Sequence, residues 1–122
     1  MKCTFMYIVL MISAFAFSQQ FTEVNSGIPV TYSENSSWGD LDNDGDLDLV
    51  TVGDYSKIYR NDGAGVFTDA GFETWYNPIN VDLGDYDNDG DLDILFSGMD
   101  ATIIFRNNGN WTFTQLTTAF PY

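Results

Sequence analysis

The stretch Gly39 to Asp48, GDLDNDGDLD, carries an aspartate at every second position, and it returns almost unchanged as GDYDNDGDLD, Gly84 to Asp93. Asp40, Asp42, Asp44, Asp46 and Asp48 in the first copy, with Asp85, Asp87, Asp89, Asp91 and Asp93 in the second, hold ten of the eighteen acidic residues of the 122-residue chain. Like charges packed so closely repel one another, so the segment needs a compensating cation to fold compactly. Any architecture for this chain must build the same loop twice.

The self-similarity extends beyond the loops. Phe21-Thr22, Phe67-Thr68 and Phe113-Thr114 recur every 46 residues, and Asp40 and Asp85 lie 45 apart. Each loop leads into an apolar run, LDLVTVG and then LDILFSG, followed by KIYRNDGAGVFT in the first copy and IIFRNNGNWTFT in the second. Within a unit, short apolar or alternating runs are divided by Gly, Asn and Asp, a pattern of β-strands and turns with no helical period. Strands are predicted at Ser36–Gly39, Leu49–Val52, Lys57–Asn61 and Val66–Asp69, and again at Asn80–Leu83, Ile94–Ser97, Thr102–Asn107 and Trp111–Gln115. RNDGAG is predicted to turn tightly at Asp-Gly, which tolerates positive φ. Four strands per unit is the size of one propeller blade, so the fold class is all-β: two full four-stranded blades, at about 36–69 and 80–115. Phe21 to Ser33 would close a preceding partial blade, and Phe113 to Tyr122 would open a following one.

Numbered from its first aspartate, each loop has carboxylates at positions one, three, five, seven and nine and a glycine, Gly45 or Gly90, at position six. A hard cation such as Ca²⁺ takes six to eight oxygens, and closely spaced aspartates around a turning glycine can wrap it. The side chains at positions one, three, five and nine are the expected ligands. Asp46 and Asp91 are expected to ligate through the main chain, with their carboxylates turned outward. About two Ca²⁺ ions per chain are expected; Mg²⁺, which keeps several waters, suits such a cage poorly. Leu47 and Leu92, at position eight, are expected to anchor the loops in the core. An EF-hand would need a bidentate acid at position twelve, where Thr51 and Phe96 stand, and flanking helices.

A formal charge of −14 disfavours nucleic acid and anionic membrane surfaces and favours cations or cationic partners. The chain has no histidine, so His-containing triads and His-ligated zinc are excluded. The clustered acids are taken up by the loops, and Glu34, Glu73 and Asp82 have no assignable partner for glycosidase chemistry, so no enzyme is expected. Met1 to Ser18 combines a lysine, an uncharged apolar run and small residues, the plan of a secretory signal peptide. Cleavage after Ser18 or Ala16 would leave a mature repeat region of about 19–122. The apolar run is shorter than the ~20 residues that span a bilayer. Cys3 precedes that run, so the mature chain would carry no thiol and no disulfide.

GDLDNDGDLDLVTVGDYSKIYRNDGAGVFT and GDYDNDGDLDILFSGMDATIIFRNNGNWTFT resemble the FG-GAP or VCBS-type repeat, the blade unit of integrin-alpha-like β-propellers in secreted bacterial proteins. The resemblance implies calcium held between the first two strands of each blade. Trp38-Gly39 and Leu83-Gly84 fall where the family has Phe-Gly. Val52-Gly53 and Ser97-Gly98 fall at its Gly-Ala-Pro segment, with Asp54 and Met99 in place of the alanine, a departure that bears on integrin-like ligand binding. Closed propellers use ~4 to 8 blades, so the chain is expected to be part of a larger propeller, with ring assembly from copies or face-to-face packing as alternatives.

The functional expectation is a secreted or cell-surface calcium-binding repeat module, bacterial in type, that binds an extracellular protein or carbohydrate. An accessory or catalytic part of a larger secreted hydrolase is the alternative, and an architectural spacer a third. Trp38, Tyr59 and Phe105 are expected between blades. Trp75, Tyr76 and Asn77, in the link GFETWYNPIN, are candidates for ligand contact. Arg60 and Arg106 are expected to pair with nearby carboxylates.

Overall fold

The computed structural model describes Glu23 and residues 25–29, 33–74, 77–98 and 102–116. The signal peptide expected over 1–18 lies outside them, as do Trp75, Tyr76 and the tail beyond 116. Eight strands follow one another: β1 (Ser33–Gly39), β2 (Asp48–Gly53), β3 (Lys57–Asn61), β4 (Phe67–Asp69), β5 (Asn80–Gly84), β6 (Asp93–Ser97), β7 (Thr102–Asn107) and β8 (Phe113–Leu116). They form two antiparallel meanders, β1-β2-β3-β4 and β5-β6-β7-β8. Among the described residues there is no helix, and hence none long and apolar enough to cross a membrane.

The registers of the two sheets correspond pair for pair. Leu49 faces Tyr59 as Ile94 faces Phe105, and Arg60 faces Thr68 as Arg106 faces Thr114. The chain therefore contains two copies of one blade-like sheet. Alternation sends Val50 and Val52 of β2, with Ile58 of β3, to one face, where they meet Val81, Ile94, Phe96 and Phe105 of the second sheet in a single core. Each such side chain contributes about 1.5–3 kcal/mol on burial. Phe72, in the link between sheets, completes this core. Its ring lies 5.2 Å from that of Phe105, 5.5 Å from Phe113 and 5.9 Å from Phe96.

Several expectations are corrected. Leu47 does not anchor its loop: it is 55% exposed, and Leu41, 2% exposed, is the loop residue that enters the core. In the second copy Leu92 does pack on the core, while Tyr86, the counterpart of Leu41, is 54% exposed. The reason is that the two sheets stack like leaves, so equivalent positions face a neighbour in one copy and open space in the other. Trp38 is 51% exposed for the same reason and touches Phe67 edge-on at 5.9 Å, whereas Phe105 lies in the core between the sheets as expected, and Tyr59 is buried on the opposite face of the first sheet, away from that core.

The β3–β4 connection is wider than the Asp-Gly turn predicted. Val66 N donates to Gly63 O and Asp62 N to Val66 O, with positive φ at Gly63, Ala64 and Gly65 rather than at Asp62. The second copy keeps this backbone, with φ of 76° at Gly109, 52° at Asn110 and 59° at Trp111. A bulky residue rarely adopts such a φ. Trp111 is held there by packing on the core and by Arg60 of the first sheet, whose guanidinium lies 6.0 Å from the ring centroid. Of Phe21 to Ser33, Ser26 is placed beside β4, its carbonyl accepting from Phe67 N at 2.8 Å.

Candidate metal centres

Each acidic segment forms the connection between the first two strands of its sheet, β1–β2 and β5–β6. Alternate acidic side chains converge because the backbone curls. Asn43 and Gly45 have φ of 60° and 95°, and Asn88 and Gly90 have 62° and 96°. Glycine is at home in this conformation and asparagine tolerates it better than most residues. The curl is closed by the aspartates themselves. Asp40 accepts from Asp44 N and Gly45 N at 3.1 and 2.9 Å, and Asp44 accepts from Asp46 N at 2.9 Å. Asp85 and Asp89 make the same bonds to Asp89 N, Gly90 N and Asp91 N, each at 3.0 Å.

Position nine has a role that sequence reasoning missed. Asp48 and Asp93 are 0% and 2% exposed and open β2 and β6. Asp48 accepts from Leu41 N and Asn61 N, both at 2.9 Å; Asp93 accepts from Tyr86 N at 2.9 Å and Asn107 N at 2.8 Å. Each carboxylate thus ties the start of its loop to the end of the third strand. The sequence signal was the position itself: an aspartate directly before an apolar strand, matched in both copies to an Asn at the end of the next strand.

The structure brings carboxylate oxygens of Asp40, Asp42 and Asp48 within 4.8 Å of one another in the first loop, and of Asp85, Asp87 and Asp89 in the second. Asp44, Asp46, Asp91 and Asp93 stand outside these groups. Asp46 lies beside Gly63, and Asp91 turns to the other loop, where its Oδ1 accepts from Asn43 Nδ2 at 2.7 Å. The two trios together cover positions one, three, five and nine.

The electrostatics leave these groups short of positive charge. Burial raises Asp42 above the ordinary carboxylate value, and the neighbouring Asp44 and Asp40 push it further. Asp48 is raised by burial, with Asp42 and Asp44 adding to it against the two backbone N–H bonds. Asp87 is raised by partial desolvation and by Asp89, Asp93 and Asp85. Asp42 Oδ1 is buried yet has no hydrogen-bond partner. Oxygen-only donors, a curled backbone and an unsatisfied buried carboxylate oxygen fit a hard cation such as Ca²⁺.

Arg60 pairs with Asp62, as expected of a nearby carboxylate. Arg106 instead bonds Asn108 Oδ1, at 3.1 Å from Nε and 3.0 Å from Nη2, because the second copy has asparagine at that place. At the opposite end of β2 from the acidic loop, a cleft of about 340 Å³ is lined by Tyr55, Ser56, Lys57, Glu73 and Asn77, among others. Asn77, a candidate ligand contact, belongs to it.

A search of curated proteins and a search of solved structures each returned no match. Residues 40–96, from the first aspartate of the first loop through β6, match the family model of the FG-GAP-like repeat. That stretch takes in both acidic loops, strands β2 to β5 and nearly all of β6. Over residues 40–96, just under half of its length, the chain is similar to the FG-GAP-like repeat.

Proposed function

We propose that the chain is a secreted, calcium-stabilised β-propeller-type module that binds an extracellular protein or carbohydrate. The observation that carries the metal assignment is the twofold recurrence of three converging carboxylates, one of which holds a buried oxygen without a hydrogen-bond partner. Asp40, Asp42 and Asp48 would hold one ion and Asp85, Asp87 and Asp89 the other, with Asp44, Asp93 and the carbonyls of Asp46 and Asp91 close by in the same loops. The bound ion supplies positive charge and fixed coordination, and the chain's own residues supply the curl that presents the oxygens. Binding to the folded state alone would add about 2.7 kcal/mol of stability at a free ion concentration one hundred times Kd.

The ligand end of the proposal rests on the cleft around Tyr55, Lys57 and Asn77, which lies away from the acidic loops and offers an exposed aromatic ring beside polar groups. No catalytic step is assigned to the chain. Calorimetric titration with Ca²⁺ is expected to give about two ions per chain and a rise in thermal stability, both reduced by joint Asp40→Ala and Asp85→Ala substitution. Equal thermal losses for that variant in calcium and in chelator would sink the metal assignment. Turnover of a polysaccharide or ester panel by the purified chain would overturn the non-enzymatic reading.

A further inference from the structure

The two acidic loops are bonded to each other. Asn43, at position four of the first loop, donates from Nδ2 to Asp91 Oδ1, at position seven of the second, at 2.7 Å. Asn107, at the end of β7 and 1% exposed, reaches both loops: its Nδ2 donates to Leu41 O at 2.8 Å and to Leu92 O at 3.1 Å. A side-chain amide nitrogen has two donors, and here one serves each loop. Leu92, next to Asp93, also lies on Gly39, next to Asp40: a Cβ on that glycine would stand 2.9 Å from Leu92 Cδ1. Asn61, the counterpart of Asn107, donates within its own loop, to Leu47 O at 3.1 Å.

Exposure follows these bridges. Asp40 and Asp42 are half-buried, whereas Asp85 and Asp87, at the same places in the second loop, are exposed; Asp91 is half-buried where Asp46 is exposed. The second loop thus lies over the first. A loop that holds an ion must keep its curl, and ordering it costs conformational entropy. Groups shared by the two loops are ordered once, so whichever loop orders first lowers that cost for the other. Repulsion between two filled sites acts the other way, but it is screened by salt over a Debye length of ~8 Å at physiological ionic strength, while the hydrogen bonds persist.

We propose that the two loops form one cooperative cation-binding unit, in which Asn43 and Asn107 are positioning residues that couple the first site to the second. The inference rests on the metal assignment made above and adds that neither site is independent. Curling of the second loop fixes Asp91, and its carboxylate then holds Asn43 in the left-handed conformation, φ 60°, on which the first loop turns. Asn107, tied to Leu92 at the end of the second loop, holds Leu41 at the start of the first. The coupling is reciprocal, so each site tightens the other by the same factor. The chain therefore takes up its two ions over a narrower range of concentration than two separate loops would.

Calorimetric titration of the full chain with Ca²⁺ tests this, with thermal melts in chelator showing that each variant is folded. In the wild type the second ion is expected to bind more tightly than two independent sites would allow. Asp87→Ala, which disables the second site, should weaken the first by roughly fivefold or more, and Asp42→Ala should weaken the second by the same factor. Asn43→Gly keeps the positive φ and removes only the amide. In that background Asp87→Ala should weaken the first site less than half as much, whereas Asn88→Gly, the same change at the exposed counterpart, should leave the coupling as in the wild type. A merely structural role for Asn43 would weaken both sites in parallel and leave their coupling unchanged. Runs at about 0.15 and 1 M salt, where the Debye length is ~8 and ~3 Å, separate the coupling from the charge that Asp87→Ala removes. Failure to bind any ion overturns the metal assignment and this proposal with it. Two ions bound independently, a coupling untouched by Asn43→Gly, or one abolished at high salt overturns the proposal alone.

Discussion

Asp93→Asn separates bracing from ion binding. The Asp93 carboxylate is 2% exposed and accepts from two backbone N–H groups, Tyr86 N at 2.9 Å and Asn107 N at 2.8 Å. An amide retains one acceptor oxygen and sets an NH₂ against the second N–H. One hydrogen bond to a charged group, about 1.5–3 kcal/mol, is lost, and the stranded buried donor costs about 1–3 kcal/mol more. Allowing for partial relaxation, the loss is about 4 kcal/mol, a large share of a typical domain's ~5–15 kcal/mol. With a urea slope of ~2 kcal/mol/M the midpoint falls by about 2 M. The loss should appear in chelator as fully as in calcium, because neither hydrogen bond involves an ion. Asp85→Asn, on an exposed residue whose partners lie within its own loop, should lose stability chiefly in calcium. If Asp93→Asn shifted the chelator midpoint by less than ~0.5 M, the bracing role would be refuted.

Two further outcomes follow from single contacts. Gly39→Ala should lose about 1–3 kcal/mol from overpacking against Leu83 and Leu92, whereas Gly84→Ala should be neutral or gain up to ~1 kcal/mol; equal effects in urea unfolding would refute the stacking of the sheets. Lys57 and Asp69 pair at 2.9 Å with side chains 29% and 44% exposed, so Asp69→Asn should cost less than ~1 kcal/mol. Burial acts to raise Asp69, but hydrogen bonds from Lys57 and Gly71 N outweigh it and hold the carboxyl below 3.8, while the bond to Asp69 holds Lys57 above 10.5. The Asp69 contribution is complete above its ordinary value and fades as pH falls through the lowered one. That of Lys57 is complete below its ordinary value and fades as pH rises through the raised one. The difference between wild type and Asp69→Asn should thus be flat from about pH 5 to 9, and a slope within that range would contradict the pairing.

The strands were legible because alternation and turn residues are local signals. Lys57–Asn61 and Thr102–Asn107 were placed to the residue, and the other strands within three residues at either end. The acidic loops were legible because each aspartate is set by its spacing from a glycine that must turn the backbone. Which face of each sheet is covered was not legible, since that depends on how one copy lies on the next. Leu47 and Leu92 read identically, yet one is exposed and the other packed. Phe72 was overlooked because it stands alone in a link rich in polar residues, with no periodicity to mark it as core. Asp48 and Asp93 read as ligands like their neighbours, because only the fold brings the N–H groups of Asn61 and Asn107 back to them.

Among the described residues every strand pairs only with strands next to it in sequence, and no ladder is completed by a strand from the other sheet. The strand ladders of one sheet are thus written within its own stretch of about 45 residues. Duplicating or deleting such a stretch rewires no ladder and alters only what lies against its two faces. A gene built this way can lengthen or shorten by whole units, and selection then has to act on little more than the fit between neighbours.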